Sequence, residues 1–299
     1  MEISVIIPCF NVGPYLNTVI SNLLQQKGVE VEFLFVNDGS TDTQTKSILS
    51  DFESKGKISV IETQHKGAGN ARNEGIKRAK GDFVIFFDVD DQYPSNYTLS
   101  LLLQGIKKGN QLICGGSFSE FNIDNGQLTT CFSGALAGYS FANEGVMSFR
   151  DYQFNYGFHR FLFKRNFLVK NGILFHNLTR YQDPIFLVKS LHLAGSFYAI
   201  TDVVYQYNFQ PSRWKEIFSD PRKLEDSLEG MCSLLEFSLQ NNYLELARRV
   251  LEQLRFHRAF YVEAFKELST SKLELINSKS WRYTSPLRNL KRFIGQKMN

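Results

Sequence analysis

Asp82 to Asp91 reads DFVIFFDVDD, and Gln92, Tyr93 and Pro94 follow. Five apolar residues in a row, Phe83 to Phe87, predict a strand buried on both faces. The run stops abruptly at Asp88, Asp90 and Asp91. Two like charges about 4 Å apart repel by roughly 1 kcal/mol in water and about 4 kcal/mol near a protein surface. One or two aspartates are enough to make a turn. A third points to a bound cation, whereas a solvated acidic turn is the plainer reading; the stretch alone leaves both open.

Working outward, the same pattern repeats before and after it. ISVII (Ile3 to Ile7) predicts a first strand, and Leu16, Val19, Ile20 and Leu23 then recur at helical spacing. VEFLFVND predicts a second strand, with Ser40 or Thr41 capping the helix that carries Ile48, Leu49 and Phe52. ISVIET, GNARNEGIKRAK and SNYTLSLLLQGIKK supply a third strand and two more helices. Strand–helix alternation with doubly buried strands predicts an α/β layer fold with a mostly parallel central sheet. Ligands of such sheets bind at the carboxyl ends of the strands. Asn11, Asp38 and the aspartate cluster all fall there. No G-x-G-x-x-G follows the first strand and no Walker A sequence occurs, which argues against a dinucleotide enzyme or a P-loop ATPase.

Beyond Gln111 the pattern becomes mixed. Asn125-Gly126 between two apolar segments predicts a hairpin. HRFLFKRNFLVKNG predicts a strand feeding a helix that ends at Gly172. RYQDPIFLVKSLHLAG predicts a helix closed by Gly195, and FYAITDVVYQYNF one or two strands. From about Pro211 the chain turns helical. Leu224, Leu228, Met231, Leu235 and Leu239 form one stripe, and Val250, Leu254, Tyr261, Phe265 and Leu268 another. Two antiparallel helices joined near Asn241-Asn242 would bury both.

The 299 residues carry a net charge of +4, with 43% hydrophobic and 21% charged residues, which suits a folded protein with a large core. So mild a charge, without zinc-finger spacing or a basic aromatic stripe, argues against nucleic acid as a partner. Cys9, Cys114, Cys131 and Cys232 form no C-x-x-C pair and read as small buried hydrophobes of a reducing cytoplasm. No signal peptide is expected at MEISVIIPCFN, and no apolar run approaches the ~18 residues of a spanning helix.

A rigid strand end rich in oxygen ligands suits Mg²⁺ or Mn²⁺. The ordered set SVIIPCFN, VNDGSTD, GNARNEG and GDFVIFFDVDD closely resembles the family-two inverting glycosyltransferases with the A-type (GT-A) fold, strongly over about Ile3 to Gln92 and weakly to about Ser212. The resemblance implies a GT-A domain over 1–210, with a nucleotide-binding half (1–110) and an acceptor-binding half (111–210), and a C-terminal helical extension over 211–299. It implies that Asp38 accepts a hydrogen bond from the uracil of a UDP-sugar, that Pro8 and Asn11 line the nucleotide pocket, and that Arg72 reaches toward the nucleotide. Asp88-Val89-Asp90 matches the family's Asp-x-Asp: Asp90, with Asp91, would hold the metal on the diphosphate, and Asp88 would face the ribose or donor sugar. Ser212 and Arg213 would close over the diphosphate.

Such a cation neutralises the charge that builds on a departing nucleoside diphosphate. Inversion further requires a base on the opposite face. In the family the base lies in a Glu-Asp pair opening a helix. Here Gln182 stands for the Glu, and Asp183 matches the Asp and is the candidate base. An N-cap role, with Pro184 at the first helical position, is the plainer reading of Asp183. His65 and His159 read as structural histidines, and Trp214 as a sugar-stacking ring or a domain seal. A glycosidase, which needs two carboxylates across a sugar, and a non-catalytic partner subunit, suggested by Gln182, are the alternatives. The expected acceptor is a glycan or lipid-linked oligosaccharide of surface-polysaccharide assembly. In WRYTSPLRNLKRFIGQKMN, a helix after Pro286 would gather Arg288, Lys291 and Arg292 opposite Leu287, Leu290, Phe293 and Ile294. That pattern predicts peripheral attachment of 285–299 to the inner face of a membrane, with docking on the protein itself as the rival.

Overall fold

The computed structural model describes residues 1–213 and 220–255. Its nine strands form one mixed sheet. They are β1 (Ile3–Cys9), β2 (Val31–Asn37), β3 (Ser59–Glu62), β4 (Phe83–Phe86), β5 (Ile113–Asn122), β6 (Gln127–Thr129), β7 (Gly145–Ser148), β8 (Phe161–Lys164) and β9 (Ser196–Phe209). The helices are α1 (Leu16–Leu23), α2 (Thr43–Ser54), α3 (Ala68–Arg78), α4 (Thr98–Gly109), α5 (Phe149–Tyr152), α6 (Arg165–Lys170), α7 (Gln182–Ala194) and α8 (Pro221–Gln240). The sheet runs β3-β2-β1-β4-β8-β5-β9-β7, with β6 hydrogen-bonded to β5.

The first four strands pair in parallel, with Cys9 opposite Asn37 and Ile6 opposite Phe86. This register aligns their carboxyl ends. Asp38 N–H donates to Cys9 O at 2.9 Å and Phe87 N–H to Ile6 O at 3.0 Å, so the polar residues after β1, β2 and β4 emerge along one edge. The doubly apolar run of the opening stretch is buried throughout from Val84 to Phe87. β8 then enters antiparallel between β4 and β5, and β9 runs parallel to β5 over its full length. Of the one or two strands expected there, the structure has one, the long β9.

Glycine decides one helix–sheet contact. A Cβ on Gly75 of α3 would stand 2.3 Å from Ile6 Cγ2 of β1, so only a bare backbone lets α3 lie this close to the sheet. Asn125-Gly126 turns as expected: Gly126 has φ 71° and its N–H donates to Asn122 O at 2.8 Å. The cap of α2 is Asp42, whose carboxylate accepts from Thr45 N–H at 2.7 Å, not Ser40 or Thr41. Ser40 is instead drawn into the sheet edge, where its Oγ accepts from Asn11 N–H. Cys9 and Cys114 are buried as expected, but Cys131 is exposed and Cys232 half-buried.

Arg160 is fully buried beside β8 with no carboxylate partner among the described residues. Its guanidinium donates to Gly116 O (2.8 Å), Tyr139 O (3.0 Å), Gly138 O (2.5 Å) and the Tyr152 hydroxyl. The rings of Phe141 and Phe161 pack on it, with centroids at 4.7 and 5.0 Å.

The chain divides into two compact units. The first comprises Met1–Asn177 and Gln182–Ser212 and holds the whole sheet. The second comprises Leu178–Tyr181 and the described residues beyond Ser212. Within it, α8 buries Leu224, Met231, Leu234 and Leu235, and the turn at Asn241 and Asn242 leads into helical residues 244–255, where Val250 is buried. Asp226 of α8 accepts from both Thr179 N–H and Thr179 Oγ at 2.6 Å. Trp214, the outer part of the second apolar stripe (Tyr261, Phe265, Leu268) and the basic segment 285–299 lie outside the described residues. Among the described residues, no helix is long and apolar enough to cross a membrane.

Candidate active site

The parallel register brings the acidic cluster to the edge of the sheet, and α3 brings Arg72 beneath it. Arg72 is not a surface arginine: it is 5% exposed, between the rings of Phe158 and Phe175 at 4.9 and 5.3 Å. Its Nη2 donates to Asp88 Oδ1 at 2.6 Å. Asp88 Oδ2 meets His159 Nε2 at 2.8 Å, and Asp88 N–H donates to the Tyr205 hydroxyl at 3.2 Å. Burial works against the charge of Asp88, but Arg72 and His159 outweigh it and hold its carboxyl well below the usual range.

Its two neighbours behave oppositely. Asp91 is buried, its Oδ2 accepting from Tyr205 O–H at 2.6 Å and its Oδ1 from Asn208 N–H at 2.8 Å. Burial, then the charges of Asp90 and Asp88, push its carboxyl well above the ordinary value. Asp90 is exposed, and burial of its carboxylate region and the Asp88 charge raise it as well. Asp90 faces a cleft of about 410 Å³ whose walls include Tyr15, Phe121, Ile123, Leu128 and Asn208.

Asp183 arrives from the other side of the sheet order on α7. It is the second residue of that helix, after Gln182 and before Pro184, so it is not the N-cap that its position before a proline suggested. Burial raises its carboxyl above the usual value; Arg72 and His159 oppose that, and Asp88 adds to it. The four groups therefore share one electrostatic environment. Gln182 is buried against Gly69 of α3, where a Cβ would come within 1.7 Å of Gln182 Oε1. Gln182 Oε1, Arg72 Nε and His159 Nδ1 are buried polar atoms without a hydrogen-bond partner among the described residues. Unsatisfied polar atoms are rare in native interiors, and three in one place mark a site that expects a ligand.

At the ends of β1 and β2, Asp38 is buried and its carboxylate accepts from Lys66 N–H (2.9 Å) and Gly67 N–H (2.8 Å). His65 Nδ1 lies 2.9 Å from Asp38 Oδ2, and its ring stacks on Phe10 with centroids 4.1 Å apart. Asn11, at φ 50°, accepts from Thr41 N–H and Asp42 N–H through Oδ1. Pro8 is buried within β1 opposite Val36. Ser212 donates through N–H and Oγ to Asp124 of the β5–β6 turn, at 2.9 and 3.0 Å. Arg213 ends the 3-10 turn Pro211–Arg213.

For a cation, the atoms of Asp88, Asp91 and His159 lie within 4.8 Å of one another, a grouping that leaves out Asp90. Carboxylate oxygens with one imidazole suit Mn²⁺ and tolerate Mg²⁺. The crowding that raises Asp90 and Asp91 is the strain a cation would relieve, so the residues fit such an ion. His159 was missed in the sequence because GFHRF carries no spacing signal; its role comes from its stacking on Tyr205, at 4.8 Å and 18°.

Residues 4–168 match the family model for glycosyl transferase family 2. The chain belongs to that family. GlyG of Streptococcus pneumoniae, a glycosyltransferase, is 23% identical to this family-2 chain over 89% of it and 93% of the relative. The Staphylococcus aureus poly(ribitol-phosphate) β-N-acetylglucosaminyltransferase TarS is 39% identical, over 30% of this chain and 16% of its own. The fold matches TarS 1–349 solved with UDP, with a TM-score of 0.57 at 22% identity over 81% of this chain and 74% of that one. It also matches the Pyrobaculum calidifontis mannosyltransferase PcManGT solved with GDP-mannose and Mn²⁺, with a TM-score of 0.58 at 16% identity over 94% and 82%. The protein is a glycosyltransferase of the GT-A fold.

Proposed function

We propose that this glycosyltransferase moves a sugar from a UDP-sugar to a hydroxyl of a glycan or lipid-linked acceptor, with inversion, in one displacement. The observation that carries this is the convergence of Asp183, with its raised carboxyl, on the Asp88–Arg72–His159 cluster at the carboxyl edge of the sheet. A general base works best when its pKa approaches the working pH. Asp183 takes the proton of the attacking hydroxyl. Asp88, fixed by Arg72 and His159, orients the donor's hydroxyls, and Asp38 and Asn11 hold the loops around the base. Mn²⁺ or Mg²⁺, when held by Asp90 and Asp91 beside Asp88, neutralises charge developing on the diphosphate. The UDP and UDP-GlcNAc bound by TarS favour a uridine donor. The basic segment 285–299 keeps the enzyme at the inner face of a membrane beside a surface-polysaccharide acceptor. A UDP-release screen across sugar donors with Mn²⁺, followed by mass spectrometry of the product, tests the reading. Release from no UDP-sugar, or from GDP-sugars only, refutes the uridine donor.

A further inference from the structure

Leu178–Tyr181 belongs to the helical unit, although it lies in the chain between two stretches of the sheet unit. Its last residue directly precedes α7, whose second residue is Asp183. The first turn of the helix that carries the base is thus joined, through one peptide bond, to a segment that folds with another part of the molecule.

Tyr181 has φ 64°. That left-handed conformation is costly for a residue with a Cβ, and it persists only where the surroundings hold it. The position is also the N-cap of α7, where a Ser, Thr, Asp or Asn side chain would ordinarily bond an N–H of the first turn. The hydroxyl of Tyr181 donates instead to Gln253 Oε1, in helical residues 244–255. Its ring packs on Gly230 of α8, so closely that a Cβ there would stand 2.9 Å from both Tyr181 Cβ and Cδ1. Two residues earlier, Thr179 is fixed by its paired bonds to Asp226. These three anchors all lie within the helical unit, between 47 and 72 residues away in sequence. What holds the strained residue before α7 is therefore supplied by α8 and the helix after it.

We propose that Tyr181 is a positioning residue for transfer: through it the helical unit holds the first turn of α7, and Asp183 with it, in the working position. The proposal rests on the reading of Asp183 as the base. Amide hydrogen exchange on the full chain tests it without any substrate. The N–H groups of Phe186 and Leu187, which close the first turn on the carbonyls of Gln182 and Asp183, report on that turn. Tyr181→Ala removes the ring and hydroxyl, and Gly230→Ala crowds the ring from α8; each should speed that exchange about tenfold. Tyr181→Phe, which keeps the ring, should recover most of the change. The amides of Val5 and Ile6 in β1 should exchange alike in all of them. Unchanged exchange in α7, or an equal acceleration in β1, overturns the proposal.

UDP release from UDP-glucose, UDP-galactose or UDP-N-acetylglucosamine, with Mn²⁺ and with water as the acceptor, gives the second readout. Tyr181→Ala and Gly230→Ala should lower kcat about tenfold and leave the donor KM as it is. Added to Asp183→Asn, neither should lower kcat further, since both act through that carboxylate. A wild-type kcat in both variants, or losses that simply add to that of Asp183→Asn, overturns the positioning role. Turnover that Asp183→Asn leaves intact overturns instead the reading of Asp183 as the base. Release from none of the three donors by the wild type overturns the UDP-sugar reading, while the exchange still decides the anchor.

Discussion

At the scale of single residues, the site is a contest between burial and neighbouring charge. Asp183→Asn should lower transfer by ~10² to 10⁴ while leaving UDP affinity unchanged, since the base acts only on the acceptor. Because the carboxyl of Asp183 is raised, the rate should fall with acidification earlier than an ordinary carboxylate near 3.9 would dictate. A pH–rate profile with its acid limb below that value would remove Asp183 as the base. Asp88 shows the opposite sign. Its folded pKa is depressed, so the stability it contributes is present above the unfolded value near 3.9 and is lost as pH falls through the folded one. Arg72→Met should therefore cost about 3 kcal/mol at neutral pH, the scale of breaking a buried pair. That cost should shrink below about pH 4; a penalty that stays constant in denaturant melts down to pH 3 would refute the pairing. The acids and Arg72 were legible because strand ends and motif spacing put them together. His159 was not, because stacking on Tyr205 is a tertiary event with no local pattern.

At the scale of elements, α3 carries Arg72 and α7 carries Asp183, and the two helices meet where Gly69 has no side chain. Gly69→Ala would drive a Cβ into Gln182 Oε1. The end of the Gln182 side chain, next to Asp183, must then move, and transfer should drop up to about tenfold, because misplacing a catalytic group by about 1 Å can cost 10²-fold. Gly69→Ala with Gln182→Ala should recover most of the loss. A double variant no better than the single one would separate the two residues. The element order was legible because doubly apolar strands and 3.6-residue stripes are unambiguous. Boundaries were less so: Asp183 lies inside α7 because Gln182 already has helical conformation, and Asp42 displaces Ser40 as cap because Ser40 is engaged by Asn11.

At the scale of the molecule, one sheet carries Asn11, Asp38 and the aspartate cluster at the carboxyl ends of its parallel strands. Excess EDTA should abolish transfer and Mn²⁺ restore it; full activity in the chelator would exclude the metal. Deleting residues 285–299 should reduce sedimentation with anionic liposomes at low salt and spare UDP-sugar hydrolysis. The four basic residues of that segment, Arg288, Lys291, Arg292 and Lys297, are worth up to about 1 kcal/mol each near such a surface, so full-length protein that never sediments would end the membrane reading. The mixed half of the sheet was the least legible part, because β8 and β9 insert out of chain order, and only contacts distant in sequence choose their neighbours. Arg160 bears on how that half comes apart. One permanent charge is bonded at once to β5 at Gly116, to the Gly138–Tyr139 turn and to Tyr152 of α5. No one of these segments can peel away without stranding a guanidinium in an apolar interior. The amides around them should thus exchange with solvent deuterium at a common rate, as one cooperative opening unit, instead of loop by loop.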